Sequence, residues 1–259
     1  MKVLIIGDIF GEPGREAVQK MLPSLMSERK LDFVIANCEN AAHGRGVNPR
    51  IADDLFSQKI NVLTSGNHIW DQKEIMPYIQ ENKRLLKPAN YPPKTPGLGA
   101  AIYDDYVGIR VGVINLEGLV HMTPKDCPFR TADRILAEWK GKTDLIFVDM
   151  HAEATSEKRA LGWYLDGRVT AVVGTHTHVP TADAEILPGG TAFLTDIGMT
   201  GPYRSVIGLD KEVALRKFTL RTPEKFEVGQ GDQRFSAVLI DADERTGKAV
   251  SIELIHKKV

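Results

Sequence analysis

The chain has 259 residues, 42% apolar and 26% charged, with 33 basic residues against 34 acidic ones for a formal charge of -1. That composition excludes a disordered, fibrous or disulfide-stapled protein, and the charge balance excludes attraction to nucleic acid or anionic lipid by net field alone. The length suits one large domain with a substantial core, and with no repeat, low-complexity tract or linker, 1–259 reads as a single domain.

The opening "MKVLIIGD" reads as a buried first strand ending at Asp8. It lacks the cleavage-site pattern of a leader, and no segment reaches the roughly 20 apolar residues of a membrane span. A helix is expected in "EPGREAVQKMLPSLMSERK", after which the apolar run "FVIANCEN" ends at Glu39 and Asn40. "NPRIADDLFSQK" reads as a second helix, with Asn48 as its cap and Pro49 at the first helical position. "INVLTSGNH" then ends at Asn67 and His68, and "DQKEIMPYIQENK" reads as a third helix. This alternation predicts right-handed βαβ units whose parallel strands end at one edge, where ligands of open α/β sheets bind.

"KPANYPPKTP", from Lys87 to Pro96, holds four prolines in ten residues and reads as a long surface loop. "GAAIYDDYVGIRVGVINLEG" reads as a hairpin turning around Asp104 to Gly108 and opening a second sheet. After a helix in "TADRILAEWK", "DLIFVDMH" ends at His151 and "AVVGTHTH" at His176 and His178. In an extended segment those last two histidines project to the same side. "TAFLTD", "RFSAVLIDAD" and "KAVSIELIHKK" read as antiparallel strands, with a helix around "DKEVALRKF" between them. The expected fold is α/β, with two mixed β-sheets packed together and helices outside. Cys38 and Cys127 are too few for a disulfide scaffold and suit a reducing cytoplasm.

Asp8, Glu39, Asn40, Asn67, His68, His151, His176 and His178 thus fall at strand ends. Two carboxylates, two carboxamides and several imidazoles exceed what one tetrahedral zinc needs, and two ions explain the surplus. A carboxylate can bridge ions about 3.5 to 4 Å apart with a hydroxide between them, the arrangement used for displacement at phosphorus. In this order, "GD", "EN", "GNH", "H" and "GTHTH" resemble the calcineurin-type metallophosphoesterase superfamily, most closely its YmdB-like branch. "GDIFG", "NCENAAHGRG", "SGNHIWD" and "TDIGMTGP" extend the resemblance from Met1 to the C-terminal strands. Phe10 stands where the superfamily commonly has a histidine, and Glu39 with Asn40 where it has the bridging aspartate; both departures match the YmdB-like branch.

The resemblance implies a metallophosphoesterase-type αββα sandwich. It implies Asp8, Glu39 and His178 on one metal, and Glu39, Asn40, Asn67, His151 and His176 on the second, with Glu39 as the bridge. It also implies iron at both positions, with manganese as the other candidate, and phosphodiester substrates such as 2',3'-cyclic AMP. The chemistry expected is in-line attack by the bridging hydroxide, with His68 as general acid to the leaving ribose oxygen.

Several residues keep two readings. Asp71 either orients His68 or caps the following helix. Asn40 is either a ligand or a hydrogen-bond partner of Glu39. "TDIGMTGP" either offers backbone N–H groups to phosphate or forms a tight turn. Arg45, Arg130 and Arg204 either contact the anion or are solvated. Cys38 reads as packing and His43 as a loop residue, with weaker claims for His121 and His256. The reading favoured is a cytoplasmic, homo-oligomeric phosphodiesterase acting on small phosphodiesters. A phosphomonoesterase on the same metal core is one alternative. An RNA-binding regulator with a structural or incidental metal site is another, though the balanced charge opposes RNA binding.

Overall fold

Along the central strands apolar side chains alternate between two buried layers. In the computed structural model, which describes residues 1–104 and 108–259, strand β1 (Lys2–Ile6) sends Val3 and Ile5 to one layer and Leu4 and Ile6 to the other. Strand β2 (Phe33–Asn37) does the same with Phe33 and Ile35 against Val34 and Ala36. Burial on both faces explains why these segments are near-continuous apolar runs.

The outer layer is covered by helices α1 (Gly11–Arg29), α2 (Pro49–Ser57) and α3 (Ile75–Glu81). Asn48 caps α2 as expected, its side chain accepting from the Ile51 amide at 2.9 Å with Pro49 in the first turn. Helix α3 begins at Ile75, beyond Asp71, so Asp71 is not its cap.

The first sheet joins β1 and β2 to β3 (Val62–Thr64), all parallel, and extends the other way through β13 (Gln233–Asp243) to β10 (Gly201–Pro202) and β14 (Lys248–Lys258). β13 runs antiparallel to β1 and to β14, so the C-terminal hairpin completes the sheet that the N-terminus starts.

The second sheet has the order β4 (Ala100–Asp104), β5 (Arg110–Glu117), β6 (Leu145–His151), β7 (Ala171–Thr175), β9 (Ala192–Leu194) and β8 (Glu185–Ile186). Helices α4 (Pro128–Trp139) and α5 (Thr155–Leu165) pack on its outer face. A short hairpin of β11 (Ser205–Val206) and β12 (Leu209–Asp210) leads into α6 (Lys211–Leu220).

Val3, Ile5, Phe33 and Ile35 meet Val113, Phe147, Val173 and Leu194 between the sheets. Each such side chain contributes about 1.5–3 kcal/mol by leaving water. The αββα sandwich of two mixed sheets is therefore as expected, with two corrections of detail and one turn outside the described residues. "TAFLTD" holds β9, which pairs antiparallel with β8 as expected but parallel with β7, lengthening the parallel set. β4 and β5 pair antiparallel, but residues 105–107 of the expected turn lie outside the described residues. The Lys87–Pro96 loop is a surface loop only in its second half. Asn90 is buried because its side chain donates to the Glu117 and Asp126 carbonyls and accepts from the Glu117 amide.

Gly174, next to the end of β7, has no room for a side chain, because a Cβ there would overlap the Thr195 carbonyl oxygen and press on Lys158. Gly174→Ala should lower unfolding stability by about 1–3 kcal/mol, read by thermal or urea denaturation; an unchanged midpoint would show that β7 and the Thr195 loop can separate freely.

Candidate metal centre

The five chemistry-bearing strand ends divide between the sheets. Asp8, Glu39, Asn40, Asn67 and His68 follow β1, β2 and β3, while His151 closes β6 and His176 and His178 follow β7. The parallel strands of both sheets end at one shared edge, where these side chains meet.

Two groups of donors form there, Glu39 with His151 and His176, and Asp8 with Glu39 and His178. His151 Nε2 lies 3.1 Å from Glu39 Oε1, 3.1 Å from Asn67 Oδ1 and 3.0 Å from His176 Nδ1. His178 Nε2 lies 3.2 Å from Asn40 Oδ1 and 3.9 Å from Asp8 Oδ1. The geometry thus sets Asn40 beside His178 rather than in the His151 group. Asp8, Glu39, Asn40 and His151 are fully or almost fully buried.

Neighbouring hydrogen bonds decide where the protons are. Thr175 Oγ1 donates to Asp149 Oδ1 at 2.7 Å, so it accepts from His151 Nδ1 at 2.9 Å, and Nε2 turns a lone pair to the cluster. His178 Nδ1 donates to the Ile207 carbonyl at 2.8 Å, with the same result. His176 Nε2 meets the Glu153 carboxylate at 3.1 Å, leaving its Nδ1 inward. Asn40 spends its N–H on the Gly44 carbonyl at 3.0 Å and aims its oxygen at His178.

With neutral imidazoles lone pairs would face lone pairs, and among the described residues Asp8 Oδ1 is buried without any hydrogen-bond partner. Buried acceptors in that state need a cation. The mixed oxygen and imidazole donor set fits transition-metal ions. Gly66 adds a steric sign, since a Cβ there would overlap the His151 ring and Glu39 Oε2. The loop can lie against the donors only as glycine.

Electrostatics follow the same logic. Burial raises the Asp8 pKa to about 6, although His178 and His151 oppose it. Burial also works against Glu39, but His151 outweighs it and brings that pKa down to about 2. Against its own burial, His151 is held up at about 9 by Glu39. Burial and the adjacent His151 charge lower His176 to about 3. Without an ion, a proton on His151 supplies the positive charge that the two carboxylates require.

One feature of the local backbone differs from expectation. His176 and His178 do not lie in extended chain: β7 ends at Thr175, and both take positive φ, 98° and 66°. They converge through a left-handed turn, one presenting Nδ1 and the other Nε2. Such backbone costs about 1–3 kcal/mol per residue, and Asp196 offsets it. Asp196 Oδ2 accepts from the Thr177 amide and hydroxyl at 3.2 and 2.7 Å and pairs with the buried Lys158 ammonium at 2.6 Å.

For "TDIGMTGP" the hydrogen bonds decide between the two open readings. Its amides are already used, Gly198 N on Asp196, Met199 N on the His178 carbonyl and Thr200 N on the Asp8 carbonyl. The segment braces the ligand loops and offers no cradle to phosphate.

His68 lines a cavity of about 340 Å³ at the cluster, together with Glu39, Arg45, His176 and His178. Its Nδ1 meets Asp71 Oδ2 at 3.0 Å, which settles Asp71 as an orienting residue. Of the three candidate arginines, Arg45 lines this cavity; Arg130 and Arg204 do not. His43 and His121 are exposed, and His256 bonds to Ser236 and Arg234 instead. Cys38 is buried and its thiol pKa is pushed up by that burial, which suits packing.

Sequence reasoning misses Glu153, Asp149 and Thr175, and takes in Asp196 only as part of "TDIGMTGP". A signal existed for Asp149, two residues before His151 and hence on the same strand face.

A family model described as "YmdB-like protein" matches residues 4–255. The 2',3'-cyclic-nucleotide 2'-phosphodiesterase of Bacillus subtilis is 49% identical over 255 residues, 98% of this chain and 96% of that protein. A crystal structure of a hypothetical protein from Thermus thermophilus superposes with a TM-score of 0.94 at 43% identity, covering 100% of this chain and 99% of that one. A crystal structure of a novel phosphatase from Mycoplasma pneumoniae also gives 0.94, at 35% identity, covering 100% and 93%.

Metal loading should release protons. At pH 7.5 Glu39 and His176 are already deprotonated and Asp8 is mostly so, while His151 still holds a proton. Mn²⁺ should therefore displace about one proton, with affinity rising towards pH 9 and falling steeply below pH 6 as Asp8 protonates. Calorimetry in buffers of different ionisation enthalpy reads this directly, and heat independent of buffer would contradict it.

Proposed function

The chain belongs to the YmdB-like protein family, and from that membership and the donor geometry we propose a phosphodiesterase acting on 2',3'-cyclic nucleotides or similar small phosphodiesters at a two-ion centre. The observation that carries the reading is the pair of buried donor groups meeting at Glu39. We assign Asp8, Asn40 and His178 to one ion, Asn67, His151 and His176 to the other, and Glu39 to both. The assignment of Asn40 follows its distance to His178. Since the ligands come from both sheets, residues 1–259 are taken as one catalytic domain, and two free thiols suit the cytoplasm.

The ions, iron by preference and manganese as the alternative, would supply charge against the phosphoryl oxygens and lower the pKa of an attacking water. The protein's own groups do the rest. Asp71 holds the His68 ring through Nδ1, leaving Nε2 to carry a proton to the leaving ribose oxygen. The His68 amide also donates to Glu39 Oε2 at 3.2 Å, which ties the acid to the shared carboxylate. Arg45 lies 5.0 Å from the Phe226 ring centroid at the cavity wall, placing a cation near an entering anion. The phosphatase description of the Mycoplasma pneumoniae neighbour favours a monoesterase as the second reading, and relative turnover of bis- and mono-p-nitrophenyl phosphate separates the two.

For protein purified without added metal, His68→Ala should keep about two ions per chain by elemental analysis while kcat/KM for 2',3'-cyclic AMP falls about 10²–10⁴-fold. Undiminished turnover would remove His68 from the chemistry, and absence of bound metal in the wild type would undo the centre itself.

A further inference from the structure

A second cavity, of about 470 Å³, is lined by Asn67 and shares no lining residue with the cluster cavity. Its volume is in the range of about 300–1,000 Å³ found for small-molecule sites. Asn67 belongs to both places, with its oxygen 3.1 Å from His151 Nε2 and its side chain on the cavity wall. Three residues later Trp70 forms another wall, facing Tyr91, Pro92 and Pro124. One short loop thus carries a metal-ligand candidate, the proposed acid and an aromatic wall.

The walls are already fixed. Trp70 and Tyr91 pack edge to face, 6.1 Å between centroids at 80°. They make a corner with one stacking face rather than a slot between parallel rings. Lys125, the cation on this wall, lies 4.8 Å from the Tyr91 centroid and is paired with the buried Glu117 at 2.5 Å. With that charge neutralised, the cavity suits a flat, uncharged heterocycle better than a phosphate.

We infer that this cavity receives the nucleobase of the substrate, with Trp70 as the stacking residue and Asn67 marking the boundary with the reacting phosphodiester. The inference rests on the phosphodiesterase reading and names the residue that makes the enzyme prefer a nucleotide to a bare sugar phosphate. Stacking on an aromatic side chain is tolerant of base identity, so both purine and pyrimidine cyclic nucleotides are accommodated.

The test compares 2',3'-cyclic AMP with 1-O-methylribose 2',3'-cyclic phosphate, the same ester without a base. Trp70→Ala should raise the ratio of the two KM values in favour of the abasic ester by about ten-fold or more, with kcat for cyclic AMP within about two-fold of wild type, and Trp70→Phe should restore most of the preference. Thr95→Trp, which fills the cavity from its rim, should act like Trp70→Ala while leaving the wall intact, so a misfolded Trp70→Ala would not decide the matter. Adenosine binding to the metal-free protein, followed by calorimetry, reads the cavity without turnover and should be lost in both Trp70→Ala and Thr95→Trp. Equal KM changes for the two esters, or adenosine binding untouched by both variants, would overturn the inference. Wild-type protein that binds adenosine at this wall but hydrolyses neither ester would sink the phosphodiesterase reading and leave the cavity standing.

Discussion

Everything at the centre depends on one electrostatic constraint: buried acceptor atoms that converge on one another and need positive charge between them. Asp8 and Glu39 bring two buried carboxylates together beside the cavity, and the imidazoles beside them are held so that their acceptor nitrogens face inward. A protein interior tolerates this only if positive charge is supplied. A proton on His151 does so partially, which explains why that histidine resists deprotonation while its neighbour His176 resists protonation.

The rest of the fold serves to hold that unfavourable arrangement in place. Asp149 joins the two sheets beneath the donors, accepting from Thr64 and Asn37 on the first sheet and from Thr175 on the second. Lys158 and Asp196 brace the left-handed turn that carries His176 and His178. Gly66 and Gly174 let backbone approach where any side chain would intrude. The donors are thus oriented by hydrogen bonds from buried groups such as Thr175 and Asp149 and from the more exposed Glu153 and Ile207, backed by the apolar layer between the sheets.

Much of this was legible in the chain. Apolar runs ending in Asp8, Glu39, Asn67, His151 and His176 announced both the parallel strands and the shared edge, because side-chain period and strand polarity are local properties. The partition into two sheets was less exact for β9, whose three apolar residues carry no mark of direction. The manner in which His176 and His178 converge could not be read, since alternation assumes extended backbone and their positive φ is imposed by Asp196 from another loop. Glu153 was invisible for a similar reason: its role comes from facing His176 after two chain turns, and no spacing encodes that.

The ligands' division between the sheets has a consequence of its own. Oxygen donors, and with them all the negative charge, arrive from the first sheet, while nitrogen donors arrive from the second. Hardness and charge are therefore inherited from different halves of the sandwich. Substitutions on one side alter the net charge of the centre while its count of imidazoles stays constant, and substitutions on the other change its softness at constant charge. Charge and donor softness at the proposed centre become two separately adjustable quantities, coupled only by how closely the sheets approach.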